Sequence, residues 1–365
     1  MKIRICLMAF VVAMFTASLT QAAEPFFSFE PADKTGRVPQ SFQGWHSQFE
    51  DDNDYGESWF FLAHANDGGV LFAMLSITNL GLRTFDGRLD AQYYDADGTP
   101  YRFHKELKRD SVKALKDKMD VTVGKSRAWG GGSSYNISID YPEFKMQMNI
   151  KNKLPSLIVG DGSVKFFKDK SSEWTLGMNV PRGTTSGKLT VKGKSFDLAG
   201  NGYHDHGWST IKMPDIMSKW YSLRLYGEKY SIIFHQQTMS KKFGKKSHKL
   251  GVFGVDGKMI APIRHFTFTP TEWEKHKAGY KIPLAFDVAL KAGGYDVKGT
   301  VRMDTFLDAI DVLGQVSWPI RIVIKAFYSN PYMYRYVGAY ELDITAPDGS
   351  KEHISGKSVI ESNYF

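Results

Sequence analysis

Seven consecutive residues carry the densest chemistry of the chain. Gly202-Tyr203-His204-Asp205-His206-Gly207-Trp208 places two imidazoles, a carboxylate and an indole within five positions. If extended, the segment sends His204, His206 and Trp208 to one face and Tyr203, Asp205 and Gly207 to the other. A His beside a carboxylate can be held in one tautomer and act as general acid or base. Trp208 can offer a π-face to an apolar ligand or a developing carbocation. The same side chains, bonded to one another and to backbone, would equally well fasten a junction between domains. Two His at i and i+2 are two potential metal ligands, with His235 or another imidazole as a third. His-x-His is a weak signal alone, no further ligand cluster is evident, and neither a metal nor a cofactor is expected.

The elements around this segment read as strands. In Tyr135 to Tyr141 and Phe144 to Ile150, large apolar residues alternate with polar ones, as half-buried strands require. Similar runs cover Ser58 to Ala65, Val70 to Ile77, Tyr221 to Tyr226, Tyr230 to Thr238, Tyr295 to Met303 and Tyr336 to Ile344. They are separated by turn signals such as Asn66-Asp67-Gly68-Gly69, Asp256-Gly257 and Asp348-Gly349. One segment, Lys105 to Met119, has its apolar residues at helical spacing. The expected fold is all-β, with two antiparallel β-domains in tandem. A hairpin ending in Gly200-Asn201-Gly202 sets the expected boundaries at 23–199 and 200–365. On the Tyr230 strand, Phe234 and Gln236 share one face and His235 lies on the other.

Composition supports this reading. The chain has 365 residues, 42% hydrophobic and 14% aromatic, and its 25 Phe, 18 Tyr and 8 Trp favour strands. Residues 1–22 read as a signal peptide: Lys2 and Arg4, an apolar run from Ile5 to Phe15, and small residues before Ala23. Cys6, the single cysteine, lies in that segment, so thiolate chemistry and disulfides are excluded from the mature chain. A periplasmic location is expected. The net charge of +8 has concentrations at Lys105 to Lys118 and Lys241 to Lys249. These are solvated surface or a patch for anionic lipid headgroups, at roughly 1 kcal/mol per Lys. Nucleic acid is not an expected partner of an exported protein.

The seven-residue segment resembles the signature of the carotenoid 1,2-hydratase (hydroxyneurosporene synthase) and AttH-like family, which implies two consecutive lipocalin-like (calycin) β-barrels. Glu57-Ser58-Trp59-Phe60 resembles the start of that family's first barrel, and Gly338 to Glu361 its closing hairpin. In the hydratases a His and a Trp of the signature act with a Tyr and an Asp about thirty residues later. His206 and Trp208 match the first pair, whereas Phe234-His235-Gln236 stands where the second is expected. Trp220-Tyr221-Ser222 and Tyr230-Ser231 look more like the survival-factor branch, which binds and moves ceramide-like lipids.

Two functions follow as expectations. The first is binding or transfer of a lipid, isoprenoid or polyene in the periplasm, with Tyr203, Trp59, Trp220, Phe234, His235 and Gln236 as ligand-binding residues. An anionic membrane surface and a transporter are further candidate partners. The second is a cofactor-independent hydratase, isomerase or cyclase acting on a terpenoid or polyene. There Asp205 would orient a signature His, His204 or His206 would move the proton, and Trp208 would stabilise the cation.

Overall fold

The computed structural model describes residues 27–29, 35–80, 83–263, 265–315 and 330–365. The predicted signal segment, Trp318-Pro319 and Phe327-Tyr328 lie outside the described residues. Two antiparallel sheets dominate, of 14 and 9 strands among the described residues. The first runs Pro100–Leu107, Arg83–Tyr94, Val70–Leu80, Gly56–Ala65, Gly200–Ser209, Ser172–Val191, Phe144–Asn152, Ser134–Tyr141, Ser126–Gly131, Asp120–Val123 and Val112–Ala114, with short strands attached beside this path. It curls into a nearly closed barrel around Trp59, Phe61, Leu75, Tyr135, Met146, Met148 and Trp208. The second sheet extends from Lys258–Ile263 to Phe266–Lys275 and wraps Leu223, Phe234, Phe268, Phe286, Tyr336 and Ile360.

Alternation in sequence becomes alternation in burial. Along Phe144–Asn152, Phe144, Met146, Met148 and Ile150 are buried and Lys145, Gln147 and Lys151 are exposed. A fully buried Phe or Met contributes roughly 1.5–3 kcal/mol, so this pattern fixes which face turns inward.

Two expectations are corrected. The Lys105 to Met119 segment is no helix. It finishes the Pro100–Leu107 strand, makes one 3-10 turn at Arg109–Ser111, and continues as Val112–Ala114. A helix would place Leu115 on one face with Val112 and Met119. Instead Val112 and Met119 enter the first core while Leu115 is 44% exposed. The 199/200 boundary also falls too early for the sheet: Gly200–Ser209 is an interior strand of the first barrel, bonded to Gly56–Ala65 and Ser172–Val191. The chain crosses to the second sheet after Ser209, through the short helix Met213–Ile216.

The outer faces of the sheets pack against each other. Leu62, Val70, Phe72, Tyr94, Met178 and Tyr203 of the first meet Ile233, Leu250, Val252, Val337 and Val359 of the second. A separate segment closes the first barrel: the 3-10 turns Ser41–Gln43 and Ser47–Phe49 bring Phe42, Trp45 and Phe49 onto its core. Gly177 makes room for this cap, because a Cβ there would lie 2.5 Å from Cε1 of Phe42.

Candidate functional site

The signature strand separates its side chains as a pleated strand must. His204, His206 and Trp208 enter the first barrel, while Tyr203 and Asp205 face the second sheet. The register sets His206 opposite Trp59 and Trp208 opposite Glu57. Glu57 and Trp59, two residues apart, therefore share the inward face with His206.

Around His206 the contacts are dense. Its ring stacks on Trp59 with centroids 4.7 Å apart. Its Nδ1 lies 2.9 Å from the Phe42 carbonyl oxygen and its Nε2 lies 2.7 Å from Glu57 Oε1. A carbonyl only accepts, so Nδ1 carries a hydrogen and Nε2 is the nitrogen turned to the carboxylate. His46, from the cap, puts Nδ1 2.9 Å from the same Oε1 and stacks on Trp208 at 3.5 Å. The other oxygen, Oε2, accepts from the His46 backbone N–H at 3.0 Å and from the Tyr55 hydroxyl. Burial alone would raise the Glu57 carboxyl, but hydrogen bonds and charge from His206 and His46 outweigh it and hold it at about 2. Burial, with the Glu57 charge added, raises the Tyr55 hydroxyl, so it stays a donor.

His204 has a different environment. Its Nδ1 lies 2.8 Å from the Phe60 carbonyl, its Nε2 3.0 Å from Asn179 Nδ2, and its ring stacks on Phe61 at 4.2 Å. Burial lowers it to about 3, so it is a neutral, fully bonded core histidine. Trp208 donates Nε1–H to Glu173 at 2.7 Å.

On the other face a hydrogen-bonded chain joins the two sheets. Trp220 Nε1 donates to His235 Nδ1 at 3.3 Å, with Ser222 Oγ 3.1 Å from the same nitrogen. An indole N–H only donates, so the His235 hydrogen sits on Nε2, which is 3.3 Å from the Tyr203 hydroxyl. Tyr203 in turn is bonded to Asp205. Burial pushes Asp205 up to about 7, against the Tyr203 hydrogen bond and the Arg224 charge, with Glu361 adding to the rise. Arg224 lies 4.2 Å over the Tyr203 ring and pairs with Glu361 at 3.0 Å. Arg335 lies 3.5 Å from Glu361 and bonds Gln92 across the interface. Burial also drives His235 well below its ordinary value.

The structure thus distributes the expected residues. Trp59, His204, His206 and Trp208 belong to the first barrel. Tyr203, Asp205, His235 and Trp220 belong to the contact between sheets. Phe234 lies inside the second barrel, stacked on Phe266 at 4.2 Å, and Gln236 shares its strand face. The carboxylate that orients a signature His is Glu57, because the pleat turns Asp205 away. Glu57, His46, Tyr55, Arg224 and Glu361 were absent from the expected site. The signal for Glu57 was its position two residues before Trp59 on an alternating strand, and for Arg224 a cation between Leu223 and Leu225.

Known proteins match this architecture. The Svf1 family matches residues 58–365, which span most of both sheets. The chain belongs to that family. It is similar to ceramide-binding protein svf1 of Emericella nidulans, 20% identical over 329 residues covering 85% of each chain. The protein of that name from Aspergillus fumigatus is 21% identical over 299 residues, 76% of this chain and 74% of that one. Among solved structures, CghA with Sch210972 has a TM-score of 0.63 at 12% identity, over 86% of this chain and 89% of that one. An AttH-type protein from Nitrosomonas europaea gives 0.59 at 14%, over 93% and 100%. Kievitone hydratase from Nectria haematococca gives 0.56 at 14%, over 93% and 98%. These likenesses establish the tandem lipocalin-like fold. Within this Svf1-family chain, His46 and Glu57 precede the matched segment, so two partners of His206 come from outside it.

Proposed function

We propose that the chain binds a long-chain lipid, of the sphingolipid class, and carries it as a soluble complex. Membership of the Svf1 family along both barrels is the observation that carries this reading, together with the naming of two relatives as ceramide-binding. The geometry that supports it is a cleft of about 750 Å³ on the second barrel. It lies between the Ser247–Val255 strand and the Phe266–Lys275 and Lys281–Ala292 strands, near the two ends of the sheet. Phe266, Ala289 and Leu290 supply apolar wall, and Lys249, His265, Lys291, Asp296 and Lys298 supply polar and charged groups. Such a mixture suits a ligand with hydrocarbon chains and a small polar head.

Lipid extraction and native mass spectrometry of the purified chain test the reading. A long-chain lipid at about one per protein is expected, and Ala289→Trp, which fills the cleft, is expected to weaken binding at least tenfold with the fold retained. An empty protein that also fails to bind a fluorescent ceramide would refute it. The reading places the protein in the periplasm, on the strength of residues 1–22, and brings the lysine-rich tip at Lys241 to Lys246 to an anionic membrane surface. Cell fractionation with and without residues 1–22 checks the first, and vesicle co-sedimentation the second.

The second reading, acid–base chemistry on a terpenoid or polyene, is favoured by the 2.7 Å contact of His206 with Glu57 beside Trp208. It requires His206 and Glu57 to share one movable proton, with Asp205 taking no part.

A further inference from the structure

We infer that His46, Glu57 and His206 form a binding site for a divalent transition metal, zinc being the chemistry that fits best. Their ligand atoms all lie within 4.8 Å of one another. The donor set, two imidazole nitrogens and one carboxylate, is one zinc takes readily, and three protein ligands leave a position for water or a further ligand. Softer or harder ions fit less well, since no thiolate and only one carboxylate is present.

The surrounding bonds are those a metal site needs. The Phe42 carbonyl takes the Nδ1 hydrogen of His206, so Nε2 is the nitrogen that faces Glu57 and would bind an ion once the proton of the His206–Glu57 bond is displaced. Ligating histidines are usually oriented this way by a carbonyl or carboxylate on the second nitrogen. The non-bridging oxygen of Glu57 is fixed by the Tyr55 hydroxyl and the His46 backbone N–H. Trp59 stacks on one ligand ring and Trp208 on the other. The carboxylate therefore cannot swing away, and both rings are held in plane.

The spacing requires only a small adjustment. Tetrahedral zinc with bonds of about 2.0–2.1 Å separates its donors by roughly 3.3 Å. The two histidine contacts to Glu57 Oε1 are 2.9 and 2.7 Å, so each opens by about half an ångström. His46 belongs to the cap and is the partly exposed member of the three, its side chain 13% accessible. It gives the ion a way in without disturbing the strands.

This cluster is also the point at which the acid–base reading and a metal compete, because a cation between Nε2 and Oε1 takes the place of the shared proton. Lipid binding at the second barrel is independent of either. The experiment is reconstitution of the full chain, stripped with chelator and dialysed, with Zn²⁺ alone and with Co²⁺ alone. One equivalent of Zn²⁺ at micromolar affinity or tighter is expected, with Co²⁺ absorption of four-coordinate intensity. Glu57→Gln and His206→Gln should each weaken Zn²⁺ binding at least 100-fold. Because both positions are fully buried, His46→Ala serves as the variant whose folding is least at risk. It should weaken binding 10- to 100-fold with an unchanged circular dichroism spectrum. Substoichiometric binding by the unaltered chain, or the same affinity in a folded His46→Ala protein, would overturn the assignment.

Discussion

The two faces of one strand bury two carboxylates with opposite results. Glu57, on the neighbouring strand and bonded to His206 inside the first barrel, is held at about 2, while Asp205, on the signature strand's outer face, is pushed to about 7. Burial is nearly complete for both, so desolvation does not distinguish them. The difference is in the donors. Glu57 has two imidazoles, a backbone N–H and a phenol directed at its two oxygens. Asp205 has the Tyr203 hydroxyl and a share of Arg224, whose guanidinium is already committed to Glu361. A buried carboxylate stays ionised where the fold has collected enough hydrogen-bond donors and otherwise takes up a proton.

The largest expected effect comes from removing the better-served carboxylate. Glu57→Ala leaves His206, His46 and Tyr55 without their common acceptor, and breaking a buried charged contact of this kind costs about 3–5 kcal/mol. Urea denaturation at neutral pH measures it, and a loss under 1 kcal/mol would mean the cluster does little for the fold.

Asp205 should show a smaller effect with a distinct pH signature. Its folded pKa of about 7 lies above the ordinary value of 3.8, so between these values the folded state binds the extra proton. Its contribution is thus complete below pH about 4 and is lost as pH rises toward and through 7. At roughly 1.4 kcal/mol per unit, the loss by pH 8 is on the order of a few kcal/mol. Asp205→Asn should flatten this decline and be more stable than the unaltered chain at pH 8. Thermal melts from pH 5 to 8 compare the two, and parallel curves would show that Asp205 is ionised throughout.

These contrasts also show what was legible in the sequence. The pleat of Gly202 to Trp208 and the two faces of the Tyr230 strand follow from a period of two, so the sorting of His206 from Asp205 and of Phe234 from His235 could be read directly. The identity of the partners could not. Glu57 and His206 meet through strand register across 149 residues, and His46 arrives on a cap with no periodic pattern at all. The apolar spacing of Leu107, Val112, Leu115 and Met119 suggested a helix because short strands with a turn between them can mimic that period over one stretch. The expected boundary failed for a related reason: Gly200-Asn201-Gly202 marks a turn, and a turn does not reveal which sheet the next strand will join.

The smallest predicted effect isolates the link between the two faces. Tyr203→Phe removes one hydroxyl, bonded to Asp205 and 3.3 Å from His235 Nε2, and leaves the ring under Arg224 in place. At pH 5, where Asp205 is protonated and can itself donate to a neighbouring acceptor, the cost should be about 1 kcal/mol, that of one net hydrogen bond. At pH 8 the carboxylate loses a donor it needs, so the cost should rise toward 2 kcal/mol, within the range for a bond to a charged group. Denaturation at both pH values measures the increment. An increment of zero would place the Tyr203 hydroxyl with His235 alone and remove Asp205 from the chain that joins the sheets.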